Sequence, residues 1–114
     1  RVTFGKAFVV AVDIRKNSPK LGEWFGIELS EKDKKQIWAP AGFARGFCVL
    51  SNFAEIQYLC TGTYNADCES GIYWNDPEIG IRWPIEEPVI SDKDKKAQSL
   101  TQWLDHDNSK NFEY

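Results

Sequence analysis

The chain has 114 residues, 42% of them hydrophobic, so it is expected to form one domain with a genuine core. Fourteen basic side chains stand against 17 acidic ones, and a net charge of −3 argues against a general nucleic-acid binder, whose footprint is basic. No apolar run is long enough to span a membrane and no signal-peptide pattern is seen. The three cysteines (Cys48, Cys60, Cys68) are odd in number and lack Cys-x-x-Cys spacing, so reduced thiols in a cytoplasmic protein are expected.

In chain order, Arg1 to Phe4 reads as part of a strand before a turn at Gly5. Opening in mid-strand, without methionine, carries the expectation of an upstream portion in the natural protein. Lys6 to Ile14 is strongly β in composition, with Phe8, Val10, Val12 and Ile14 on one face. Val9 and Ala11 make the other face apolar as well, which predicts a strand covered on both sides. Arg15 to Gly22 is a turn cluster, Glu23 to Leu29 a further strand, and Ser30 to Gln36 at most a helical turn. After the Ala39-Pro40-Ala41-Gly42 turn, two strand-like runs follow, Phe43 to Leu50 and Phe53 to Thr61, with Ser51-Asn52 between them; their spacing predicts an antiparallel hairpin.

Glu69 to Trp74 reads as another strand, closed by the turn Asn75-Asp76-Pro77, and Ile79 to Trp83 as a short one. Ser91 is a plausible N-cap, and Leu100, Trp103 and Leu104 have helical spacing, so one short helix, or a turn of helix with an extended arm, is expected. The division expected is a domain over 1–104 and a polar, loosely ordered tail over 105–114. Short strands separated by Gly, Pro and Asn turns indicate an all-β sandwich or barrel, and a jelly roll leaves an interior that the 43–61 hairpin would line.

The chemistry starts from two oddities. Period-two alternation puts Arg45 with Phe43, Phe47 and Val49, and Tyr58 with Ala54, Ile56 and Cys60, so each is a polar head on an apolar face. Either Tyr58 is a core tyrosine whose hydroxyl finds a partner and Arg45 snorkels to water, or both line a cavity. In the second case Tyr58 donates a proton and Arg45 meets an anion. Tyr64 is a rim tyrosine or a flat face for stacking a base or sugar. Glu69 and Lys93 are solvated charges or ligand contacts, and Asp94, three after Ser91, is by default a capping-box member. No strand carries a histidine and the cysteines lack zinc spacing, so no metal site is expected; His106 sits in the tail with no nucleophile beside it, and no glycine-rich phosphate loop occurs.

Five words, VAVDIRKNSP (10–19), IWAPAGFARGF (37–47), AEIQYLCTGTYN (54–65), SGIYWNDPEIGIRWP (70–84) and ISDKDKKA (90–97), stand in an order and spacing that resemble the dTDP-4-dehydrorhamnose 3,5-epimerases. The resemblance covers nearly the whole chain except the tail. It implies a cupin-type jelly roll with a short C-terminal helical segment, a homodimer without metal or cofactor, and 3,5-epimerisation of a dTDP-4-keto-6-deoxyglucose-type substrate through an enolate, as in dTDP-rhamnose biosynthesis. It implies Tyr58 as general acid, Tyr64 as the ring that stacks on thymine, and Glu69 and Lys93 as substrate contacts. Asp94 falls on the aspartate that orients the catalytic histidine. Arg45 departs from the family word Gly-Phe-Ala-His-Gly-Phe; an arginine there contacts an anionic or keto oxygen but is never an acceptor. Asn65-Ala66 stands in place of the usual Ser-Pro. The family's base histidine and enolate-steadying lysine map upstream of Arg1, so these 114 residues alone are expected to lack epimerase activity. The competing readings are a non-catalytic cupin-like module for sugar-nucleotide binding or assembly, and an epimerase or ketoisomerase acting at a single carbon.

Overall fold

The computed structural model describes all 114 residues. Five strands form two antiparallel sheets: β1 (Val2–Phe4) with β5 (Glu55–Ile56), and β3 (Trp24–Ser30), β2 (Lys6–Asp13) and β4 (Phe43–Val49) in the order β3-β2-β4. The valine-rich β2 takes the centre because it alone is apolar on both faces, and Ala7, Val10, Ala11, Val12 and Asp13 are buried there. Ala11 stands opposite Phe25 on one side and Arg45 on the other; Val10 stands between Gly26 and Gly46. Gly26 is required by packing: a Cβ there would lie 2.3 Å from the Phe8 ring and 2.9 Å from Trp24. The Phe8 ring fills the space over Gly26 and meets Trp83 edge-on, with ring centroids 6.0 Å apart.

The two faces of the large sheet are covered differently. On the Val12 face, Ile79, Leu100 and Trp103 close a core joined by Trp24, Ala44 and Phe112. On the Ala7 face, Leu29 and Val2 form a smaller core with Ile27, Ile37 and Ile56, where β1 and β5 pack. Burying a large apolar side chain contributes about 1.5–3 kcal/mol, so these clusters carry most of the fold's stability. Further along the second face, Phe25 and Phe47 stay 60% and 54% exposed, so this face is only half covered. Gly5, at φ +74°, turns the chain from β1 into β2; a Cβ there would strike the Phe53 carbonyl oxygen at 2.4 Å.

The expected 43–61 hairpin does not form. β4 pairs with β2 over its whole length, while Glu55 and Ile56 cross to β1 and Gln57 to Thr61 form no strand. The crossing is made at Ser51, whose hydroxyl accepts from Lys6 N at 2.9 Å and donates to the Phe53 carbonyl at 2.8 Å. The alternation of Phe43 to Val49 suits either partner, and β2 offers the more apolar one.

Nor is 69–74 a strand. Its pairing is a single parallel bridge, Ile72 to Gln98, and Ile79 to Trp83 is irregular chain whose first residue enters the core. Ser91 caps α1 (Asp92–Lys95) as expected, but the bridge to Gln98 interrupts the helix, which restarts as α2 (Leu100–Asp105) behind a capping box of Ser99 and Gln102. The tail is not loose. A 3₁₀ turn over Asp107–Phe112 buries Ser109 completely and packs Phe112 on Trp103.

Candidate functional site

Apart from Arg45 on β4, the candidate residues sit on two supports: the arm that follows β5, residues 57–70, and the first turn of α1. The arm is extended and exposed until Asn65, whose side-chain oxygen accepts from Asp67 N at 3.0 Å and starts a 3₁₀ turn over Ala66–Cys68. That turn delivers Glu69 to Lys93 of α1, where the two form an ion pair. Next to it, Gln98 Nε2 donates to Ser70 Oγ at 2.7 Å and Tyr73 N to the Gln98 carbonyl at 2.7 Å. Chain segments about 25 residues apart are thus stitched along one line.

Three candidates converge there. The Lys93 ammonium, with help from the Tyr64 hydroxyl, holds the Glu69 carboxyl below its ordinary range, and Glu69 in turn pushes Lys93 up. Tyr64 is itself pushed up, chiefly by the Glu69 carboxylate beside it, with a smaller push from Tyr58 and an opposing pull from Lys93. The Tyr58 phenol therefore lies within electrostatic range of this group. Tyr58 and Tyr64 are 76% and 75% exposed, so both rings face solvent and are free to receive a ligand. Tyr58 is not the core tyrosine of the bland alternative.

Asp94 serves locally. Ser91 Oγ accepts from Asp94 N at 3.1 Å and donates to Asp94 Oδ2 at 2.7 Å, so the capping role is what the structure displays. Arg45 does not join the group, and neither it nor Tyr58 lines the cavity on the half-covered face. With β4 on β2, Arg45 projects from the half-covered face, and its Nη2 donates to the carbonyls of Ala39 and Pro40 at 3.1 and 3.3 Å. It clamps the loop before its own strand. His106 is engaged elsewhere, stacked on Trp103 with Nδ1 accepting from Asn108 N at 3.1 Å.

A cavity of about 590 Å³ lies on the half-covered face, between Ala11 and Phe25 of the sheet and Trp38 of the preceding loop. At its end stands a group the sequence reading left without a role. Asp13, 2% exposed, accepts from Arg15 Nε at 3.0 Å and Nη2 at 2.7 Å, from Arg15 N at 3.0 Å, and from Ser18 Oγ at 2.7 Å. The Arg15 guanidinium, aided by Ser18 and opposed by burial, lowers its pKa to about 2. An acid closing an apolar strand, two residues before an arginine, was the available signal. A second buried acid, Asp76, accepts from Leu100 N at 2.7 Å and Glu78 N at 2.8 Å, fastening α2 to the 75–77 turn.

A sequence model described as dTDP-4-dehydrorhamnose 3,5-epimerase matches residues 1–102. The chain belongs to the dTDP-4-dehydrorhamnose 3,5-epimerase family. A curated dTDP-4-dehydrorhamnose 3,5-epimerase of Shigella flexneri is 50% identical over 100 residues, covering 88% of this chain and 55% of that protein. Among solved structures, a dTDP-6-deoxy-D-glucose-3,5-epimerase from Legionella pneumophila, in complex with dTDP-4-keto-L-rhamnose, superposes with a TM-score of 0.84 at 46% identity, over 88% of this chain and 54% of that one. A 4-keto-6-deoxy sugar epimerase from the novobiocin biosynthetic gene cluster of Streptomyces spheroides superposes at 0.88 with 36% identity, over 91% and 52%. The strands and short helices of this epimerase-family chain accordingly share the cupin-type jelly-roll fold of those enzymes. The chain spans about half the length of the curated relatives it matches.

Proposed function

We propose that these residues form the nucleotide-binding and acid-bearing part of a dTDP-4-keto-6-deoxy-sugar 3,5-epimerase. The observation that carries this reading is the convergence of Tyr64, Glu69 and Lys93 beside Tyr58 in a chain of this family. The exposed Tyr64 ring stacks on the thymine base, while Glu69 and Lys93 hold the ring's orientation and present one anionic and one cationic group to the nucleotide. Removal of a proton beside the 4-keto group gives an enolate, and Tyr58 returns a proton from the opposite face at carbon 3 and carbon 5 in turn. Phenols are far stronger acids than water, so this transfer lowers the barrier to quenching. A donor aimed at the keto oxygen stabilises the enolate; Arg45 is assigned to an oxygen of the substrate, which it reaches by exchanging its carbonyl contacts.

No imidazole lies among the clustered side chains, and Asp94, assigned to orient one, is occupied by its own cap. The base is therefore assigned to a group outside this cluster. The working form is proposed to be a cytoplasmic homodimer. No helix is long and apolar enough to cross a membrane, and Phe25 and Phe47 offer an apolar face for a second copy. A monomer in sedimentation equilibrium at all accessible concentrations argues against that assembly.

Two measurements test the reading. In titrations of the 114-residue chain with dTDP, Tyr64→Ala should abolish most of the binding and Tyr64→Phe retain it, since stacking needs the ring. Equal losses would remove the stacking role. In deuterated water, the 114-residue chain should catalyse no deuterium incorporation beside the ketone, and clear exchange would reveal a base within it. In an epimerase-active form, Tyr58→Phe should lower turnover by about 10²–10⁴-fold with little change in affinity; near-normal turnover would remove the acid assignment.

A further inference from the structure

The tail leaves α2, turns over Asp107–Phe112 and returns along the chain that exits β2. Lys16 N donates to the Phe112 carbonyl and Tyr114 N to the Lys16 carbonyl, both at 3.0 Å, forming a parallel bridge between Lys16 and Glu113. Lys16 Nζ and Ser109 Oγ both donate to the Leu104 carbonyl, at 3.3 and 3.0 Å. The bridge sets Tyr114 against Arg15: the guanidinium carbon lies 4.8 Å from the centre of the Tyr114 ring and 5.0 Å from that of Phe43. Arg15, Asp13 and Phe43 all line the 590 Å³ cavity. The family match ends at residue 102, so membership assigns no role to this return.

We propose that residues 105–114 are a strap whose Tyr114 clamps Arg15 onto Asp13, fixing the charged corner of the cavity. The guanidinium carbon lies over both aromatic rings while Nε and Nη2 donate to the Asp13 carboxylate, so the ring contacts that hold the cation preorganise the bidentate geometry. Tyr114 is a positioning residue, acting on the cavity through Arg15. The other charged groups lining that space, Lys20, Glu23 and Lys35, make no hydrogen bond to Asp13, so Arg15 and Ser18 are its two side-chain partners.

The test uses the 114-residue chain with Tyr114→Ala and Tyr114→Phe, following the Asp13 carboxyl by carbon NMR against pH and the Arg15 Nε–H by its exchange with water. Both variants keep the core, because Tyr114 is 72% exposed, and amide protection across β2, β3 and β4 verifies this. The Ala variant should raise the Asp13 midpoint by about half a pH unit or more and speed Arg15 Nε–H exchange roughly two- to fivefold. The Phe variant should match the native chain, since the ring and not the hydroxyl faces the cation. An Ala variant with unchanged midpoint and exchange overturns the clamp. So does a Phe variant displaced as far as Ala.

Discussion

At the scale of single residues, Asp13 is the side chain whose chemistry depends most on the fold. It has an ordinary value of 3.8 and about 2 in the native protein, so folding favours its charged form. Such a group adds stability that is complete above about pH 4 and is lost as the pH falls towards 2, where folded and unfolded chains bind the same proton. Replacing it by Asn keeps the shape and removes the charge. Asp13→Asn should cost about 1.5–3 kcal/mol at neutral pH, the worth of hydrogen bonds to a charged group. The gap between variant and native chain should close between pH 4 and 2. Urea midpoints measured across that range check both parts; a gap constant with pH would mean that packing, not charge, holds the corner. Asp94 teaches the opposite lesson. Its place three residues after Ser91 was enough to read the cap, and the cap is what its carboxylate makes.

Among elements, β2, β3 and β4 were legible from their apolar, β-rich composition, and the α1 start because the Ser91 cap is local; the restart at Ser99 was not read. The pairing of β4 was not legible. A strand's composition says which face is buried but not which edge it joins, and β2 and the 53–61 run were both within reach. The misplaced hairpin carried Arg45 into company with Tyr58, whereas in the fold it is Tyr64, Glu69 and Lys93 that come together. Those three are joined by short-range turn and ion-pair chemistry. The docked tail was invisible because its composition is polar. One buried serine, one phenylalanine and a backbone bridge suffice to fasten it, and none is a periodic signal. Gly26 shows how finely β3 is fitted: Gly26→Ala should destabilise by about 1–3 kcal/mol by overpacking Phe8. Adding Phe8→Leu should recover part of that loss. Additive costs in denaturant titrations would show that the Phe8 ring is not the obstacle.

For the molecule as a whole, the glycine between β1 and β2 has a dynamic consequence. It places two consecutive strands in different sheets, and β1 is held to β5 by only two residue pairs with a register shift between them, plus the Thr3 hydroxyl on Glu55 and the end contacts of Arg1 and Gln57. The three-stranded sheet, in contrast, is zipped for seven pairs on each side of β2. Cooperative units of such unequal size open with unequal free energies, so the small ribbon should breathe while the large sheet stays shut. Native-state amide exchange should then find Gln57 N, bonded to the Arg1 carbonyl, faster by orders of magnitude than Val10 or Val12. Equal rates would mean that the two sheets open as one body. Tyr58 directly follows that ribbon, so each such opening releases the root of the arm that carries both site tyrosines. Tyr58 is thus mounted on a spring, and the stiffness of that spring is set by the few contacts that join β1 to β5.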